Sequence, residues 1–154
     1  MGINERYNFS GEVTMTVYDS MGNVKSVETT SNIVVDTGLA LGVQLLGATT
    51  GGDRLSHIAI GTNDTEPTAT DTSLGDEIDR ESASFSIETK DVNDDTLVAT
   101  ATFSFQSETT VRETGIFNAS SGGTMFARTL KGPTTVEADD SIQIEWRITS
   151  QRNS

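Results

Sequence analysis

The chain has 154 residues, long enough for one domain with a real core, and carries 23 acidic against 10 basic side chains for a formal net charge of −13. That balance, with no run of Lys and Arg, excludes binding to nucleic acid through phosphate neutralisation. The absence of cysteine excludes disulfides and thiolate metal sites.

Only Lys25, Lys90 and Lys131 are lysines, and the pI is near 4.2. One reading of this surface is ordinary solubility through charge. The other is adaptation to molar salt, where screening shortens to roughly 3 Å and neighbouring carboxylates hardly repel. Scarcity of lysine beside the acid excess favours the second. Desalting is then expected to loosen contacts between subunits before it loosens the fold.

Met1 to Arg6 lacks the apolar core of a signal peptide. It also misses the myristoylation pattern, which wants Ser or Thr where Arg6 stands. Residues 1–10 are polar and read either as an N-terminal arm or as an edge strand. Val13, Met15 and Val17 alternate with Thr14, Thr16 and Tyr18, the period of a half-buried strand. Asp19 to Asn23 is a turn, and Val24 to Thr30 returns as the hairpin partner.

The spacing predicts a helix over Asp36–Gly47, capped by Asp36 or Thr37 and closed by Gly47. Leu39, Val43 and Leu46 share one face, widened by Leu41 and Leu45, and that face is expected to lie buried on a sheet. Leu39 to Leu46 is the longest apolar stretch and too short to span a bilayer, so no membrane partner is expected.

The rest reads as strands: Leu55–Ile60, then Ser82–Lys90 with Ala83, Phe85 and Ile87 on one face. Thr96–Phe105 points Leu97, Ala99, Ala101, Phe103 and Phe105 inward and pairs with Ser82–Lys90 across the turn at Asp91–Asp95. Val111–Phe117 and Thr124–Thr129 form a further hairpin across Asn118–Gly123. In Ser141–Ser150, Ile142, Ile144, Trp146 and Ile148 alternate against Gln143, Glu145, Arg147 and Thr149. Seven or eight antiparallel strands with one short helix predict an all-β, jelly-roll-like sandwich, a single domain over residues 1–154.

Asp91-x-Asn93-x-Asp95 opens like a calcium loop, but Thr96 and Thr102 stand where glycine and glutamate are needed, so it reads as a hairpin turn. His57 is the single histidine and has no cysteine or second histidine to join it in holding a metal. No nucleophile elbow accompanies it, so no catalytic residue, cofactor or metal is expected. Carboxylate pairs of the glycosidase kind arise by chance among so many acids. The sequons at Asn8, Asn63 and Asn118 are of the kind that a Ser- and Thr-rich chain produces by chance. Charges around Asp76–Glu81 and at Arg112-Glu113 suggest structural ion pairs: Glu77 or Glu113 meeting Arg80 or Arg112, tying the long loop to the sheet or to a neighbouring subunit.

Three stretches stand out together. They are His57-Ile58-Ala59-Ile60-Gly61-Thr62, the turn from Pro67 through Asp71-Thr72-Ser73-Leu74-Gly75-Asp76-Glu77-Ile78, and Val111-Arg112-Glu113-Thr114-Gly115-Ile116-Phe117. Their combination, within roughly Ser31 to Thr149, resembles small virion proteins of tailed viruses, which serve in tails, fibres and other appendages. The resemblance implies a non-enzymatic structural subunit whose partners are copies of itself and other virion proteins. With the acid excess, it suggests a virus of a halophilic, haloarchaeal host. A module binding host-surface glycans is the alternative. Exposed aromatics would favour it, whereas Tyr7, Phe9, Tyr18 and Trp146 are scattered, with Trp146 on the core side of its strand.

Overall fold

Period-two alternation of apolar and polar residues gives the longer strands two faces, and their apolar faces close on one another as two antiparallel five-stranded sheets. The structure, a computed structural model, describes residues 6–47 and 53–153. In chain order the strands are β1 Arg6–Tyr18, β2 Val24–Ser31 and β3 Ile33–Val34, followed by helix α1 Asp36–Gly47. There follow β4 His57–Gly61, β5 Glu77–Ser82, β6 Ser84–Glu88, β7 Thr96–Ser104, β8 Thr109–Phe117, β9 Met125–Val136 and β10 Ser141–Asn153. One sheet runs β2-β1-β10-β7-β6 and the other β3-β9-β8-β4-β5.

The expected all-β sandwich with one short helix is what the chain forms, and α1 has the expected bounds. Arg6–Gly11 continues β1 and pairs only with β10, so this stretch is an edge, while residues 1–5 lie outside the described region. Val13, Met15 and Val17 of β1, Ala99, Ala101 and Phe103 of β7, and Ile142, Ile144 and Trp146 of β10 supply one side of the core. Ile58 and Ile60 of β4, Val111 and Ile116 of β8, and Phe126 and Ala127 of β9 supply the other.

The chain crosses between sheets at Ala83, where Ala83 N–H donates to Ser56 O at 2.9 Å. What reads as one strand over Ser82–Lys90 is thus split: β5 ends in one sheet and β6 begins in the other. Phe85 and Ile87 stay 40 % and 56 % exposed on that outer edge. At the opposite side Lys131 reaches across the sheets, its ammonium donating to Glu28 O at 2.8 Å. Burial of Lys131 lowers its pKa against the raising effect of Glu28.

The expected burial of the helix face is corrected. Leu39, Val43 and Leu46 are 50 %, 70 % and 80 % exposed, while Gly38 and Leu41 are buried. The cause is how the first turn docks: Val35 N–H donates to Phe126 O at 3.1 Å and Thr37 Oγ1 to Met125 O at 2.9 Å. That fixes the helix by its N-terminal end and turns Leu41 inward. Among the described residues no helix is long and apolar enough to cross a membrane.

Truncation therefore separates the two sides of α1. Leu41→Ala is expected to lower unfolding free energy by about 2–5 kcal/mol. Val43→Ala and Leu46→Ala should stay within about 0.5 kcal/mol of the parent, as exposed positions do. Urea denaturation of dilute protein measures all three.

Candidate functional site

The outer face of the β3–β5 sheet carries a second, smaller apolar cluster of Val35, Ala59, Leu74, Phe117 and Met125. Leu74 comes from the long loop between β4 and β5, which folds back over its own sheet. Glu113 of β8 lies beneath it with no solvent exposure, and its carboxylate must therefore be satisfied internally.

Five donors meet it. Asp76 N–H at 2.8 Å and Asn63 N–H at 3.3 Å reach Oε1. Gly75 N–H at 2.9 Å and Arg128 through Nε at 3.0 Å and Nη2 at 2.8 Å reach Oε2. Three of these donors are loop amides, so the buried charge holds both ends of the loop at once. Arg128, 3 % exposed, extends the network by donating from Nη1 to Asp71 Oδ2 at 3.1 Å and from Nη2 to Thr65 O at 2.9 Å. Burial tends to raise the Asp71 pKa, but the Thr68 N–H, the Thr68 hydroxyl and Arg128 outweigh it and hold the carboxyl below its ordinary value.

Close approach dictates the glycines. A Cβ on Gly61 would collide with the Glu113 carboxylate and with Asp76 O, and one on Gly75 would collide with the Asn63 side chain. The three stretches that stand out in the sequence are therefore one built unit: β4 lies between β8 and β5, and the loop is locked across them.

Arg80 forms a second tie on the same face. Its guanidinium sits 3.7 Å over the Phe117 ring and donates to Ala119 O at 3.0 Å and Gly122 O at 2.9 Å, holding the β8–β9 loop. Glu77 grips the same guanidinium through both oxygens, at 2.6 and 2.9 Å.

Of the four residues expected to form ion pairs, Glu77 and Arg80 do pair with each other. Glu113 pairs with Arg128, not with Arg80 or Arg112, and it ties the loop to the sheet of its own chain. Arg112, at an irregularity in the β8–β9 register, has no ion-pair partner among the described residues. Arg128 is the residue that sequence reasoning missed. Its signal was a charge directly after the apolar run Met125-Phe126-Ala127, two registered pairs along the hairpin from Glu113.

The other motifs resolve into turns. Asp95 accepts N–H bonds from Val92, Lys90 and Asp91 at 2.8 to 2.9 Å, which drive its pKa well below the carboxylate range. Asn63 Oδ1 accepts Thr65 N–H at 2.8 Å and Asn118 Oδ1 accepts Thr124 N–H at 2.7 Å, so both side chains brace their own loops. Ser56 Oγ lies 2.8 Å from His57 Nδ1, and Ser82 Oγ lies 3.4 Å from Nε2. Trp146 is buried in the core. Among the described residues no group of three His, Cys, Asp or Glu is placed to hold a metal.

A groove of about 660 Å³ opens between α1 and the ends of β1, β6, β7 and β10. Tyr7, Phe9, Leu45, Phe85, Ile87 and Phe126 give it apolar walls and Arg54, Asp94 and Asp95 also line it, with Tyr7, Phe9 and Phe126 in successive edge-to-face contact at 5.3 and 5.5 Å. No protein-family model, curated protein or solved structure matches the chain.

Removing the central carboxylate strands a buried guanidinium and three amides. Glu113→Ala is expected to lower unfolding free energy by about 3–5 kcal/mol. Glu81→Ala, on the exposed edge nearby, should change it by no more than about 0.5 kcal/mol. Chemical denaturation distinguishes the two.

Proposed function

We propose that the chain is a non-enzymatic structural subunit of a tailed-virus particle, repeated in an exposed appendage at a vertex turret, tail or fibre. The observation that carries the reading is how most of the charged residues in and beside those stretches are used. Asp71, Glu77, Arg80, Glu113 and Arg128 are engaged with one another and with backbone groups of the chain. Their chemistry goes into holding a long loop rigid on a sheet, which suits a module that presents a fixed shape. The sheets end in four edge strands, β2, β6, β3 and β5, and such edges are commonly covered by neighbours in symmetric assemblies. An acidic, lysine-poor surface suits exposure to concentrated brine, where screening is short.

The test is direct. Particles purified from lysates of an infected haloarchaeal culture should contain this chain in many copies by quantitative mass spectrometry, and antibody labelling should decorate an external structure. Absence of the chain from intact particles would overturn the reading. Binding of the purified protein to host-surface polysaccharide, without particle association, would favour a glycan-binding module instead.

A further inference from the structure

We propose that a polar pocket on the outer face of the β2–β6 sheet binds a single sugar ring, a neutral polyol, through hydrogen bonds. The inference goes beyond the assembly role above and rests on nothing in it.

Strand register builds the pocket. Ser10 of β1, Thr149 of β10 and Thr96 of β7 stand in one row across three strands, on the face turned away from Trp146 and Ile148. Two residues along, Glu12 and Arg147 are directly opposite each other. β6 ends at Glu88, and the turn beyond it, where Asp95 accepts the Lys90 N–H at 2.8 Å, brings Thr89 and Lys90 to the same place. Together these residues line about 320 Å³, the low end of the range for small-ligand sites and room for one ring rather than a chain. Thr96 and Thr149 are 2 % and 3 % exposed although they lie on an outer face, so the floor of the pocket is recessed.

The hydroxyl protons decide what fits. Thr96 Oγ1 donates to Asp95 Oδ1 at 2.9 Å, which uses its one proton, so in its 2.9 Å contact with Thr149 it accepts and Thr149 donates. Thr149 is left with lone pairs alone. Glu12 is a second acceptor, with no ion-pair partner among the described residues, since Arg147 bonds Glu145 and Glu88 instead. Donors line the same pocket. Lys90 has no ion-pair partner among the described residues, and Arg147 keeps Nη2 unused there, its Nε and Nη1 held by Glu145 at 2.8 Å and Glu88 at 2.6 Å. Those two carboxylates fix the guanidinium before a ligand arrives.

A sulfate only accepts, and would set its oxygens against Thr149 and Glu12. An alkylammonium only donates, and would meet Lys90 and Arg147. A hydroxyl does both, and a ring carrying several of them answers donors and acceptors at once. No aromatic side chain lines the pocket, so recognition is by hydrogen bonds and of modest strength.

The experiment is an amide NMR titration of the purified full chain in molar salt with glucose, galactose and mannose, and separately with sulfate and with glycine. At least one hexose should bind saturably with a Kd of about 1–10 mM, shifting the amides of Ser10, Lys90, Thr96 and Thr149 together. Glu12→Ala and Lys90→Ala change exposed side chains, so both should fold as the parent does, and each should weaken that binding by about tenfold or more. Glu81→Ala, exposed on the other sheet, should bind as the parent does. No saturable binding by any hexose, tighter binding of sulfate or of glycine, shifts centred elsewhere, or Glu12 and Lys90 variants that bind like the parent would overturn the proposal. None of these outcomes depends on whether the chain is found in particles.

Discussion

A carboxylate cut off from water must find its donors inside the protein, and Glu113 finds five of them at the two ends of one loop and on one neighbouring strand. Much else on that face follows from this constraint. The amides of Asn63, Gly75 and Asp76 are drawn to it, so a loop of a length usually mobile in small domains is anchored near both ends. Arg128 offsets the buried charge and passes the order on to Asp71 and Thr65 near the loop's middle. A charge pair of this kind is a poor source of net stability against an apolar alternative, but it is costly to break and specific in geometry. Its value here lies in specifying one loop conformation.

That arrangement divides the molecule into two kinds of surface. On the outer face of the β3–β5 sheet, Leu74 closes a small apolar cluster and Arg80 packs over Phe117, so the sheet is covered by its own chain. At α1 nothing comparable happens. The helix is held by its first turn against β9, buries Leu41, and presents its remaining large side chains outward.

The strand pattern was largely legible because period-two alternation survives wherever one face of a strand meets the core, as in Ile142, Ile144, Trp146 and Ile148. It failed where the core was not the deciding neighbour. β5, with the sequence Glu-Ile-Asp-Arg-Glu-Ser, is an edge strand whose key side chain stacks on an outer-face ring, so it reads as a charge cluster. The change of sheet at Ala83 was hidden because Ala83, Phe85 and Ile87 alternate as one strand and no turn residue marks where β5 gives way to β6. The bounds of α1 were legible from Asp36 and Gly47. Its buried face was not, since apolar residues at 39, 41, 43, 45 and 46 leave no polar side to orient it. Tertiary contact at Val35 and Thr37 decides which way it turns. The clamp was half legible: Glu113 and the glycines of its loop were visible as a motif, but pairing with Arg128 depends on the β8–β9 register.

Hydrogen exchange at single-amide resolution tests the clamp most directly. The amides of Asn63, Gly75 and Asp76 donate to the Glu113 carboxylate, and that of Ala83 donates to a backbone carbonyl outside the clamp. In Glu113→Gln, which keeps the size and removes the charge, the account predicts that Asn63, Gly75 and Asp76 lose protection together while Ala83 keeps it. Protection of the loop amides equal to that of the parent would contradict the claim that one buried carboxylate holds the loop.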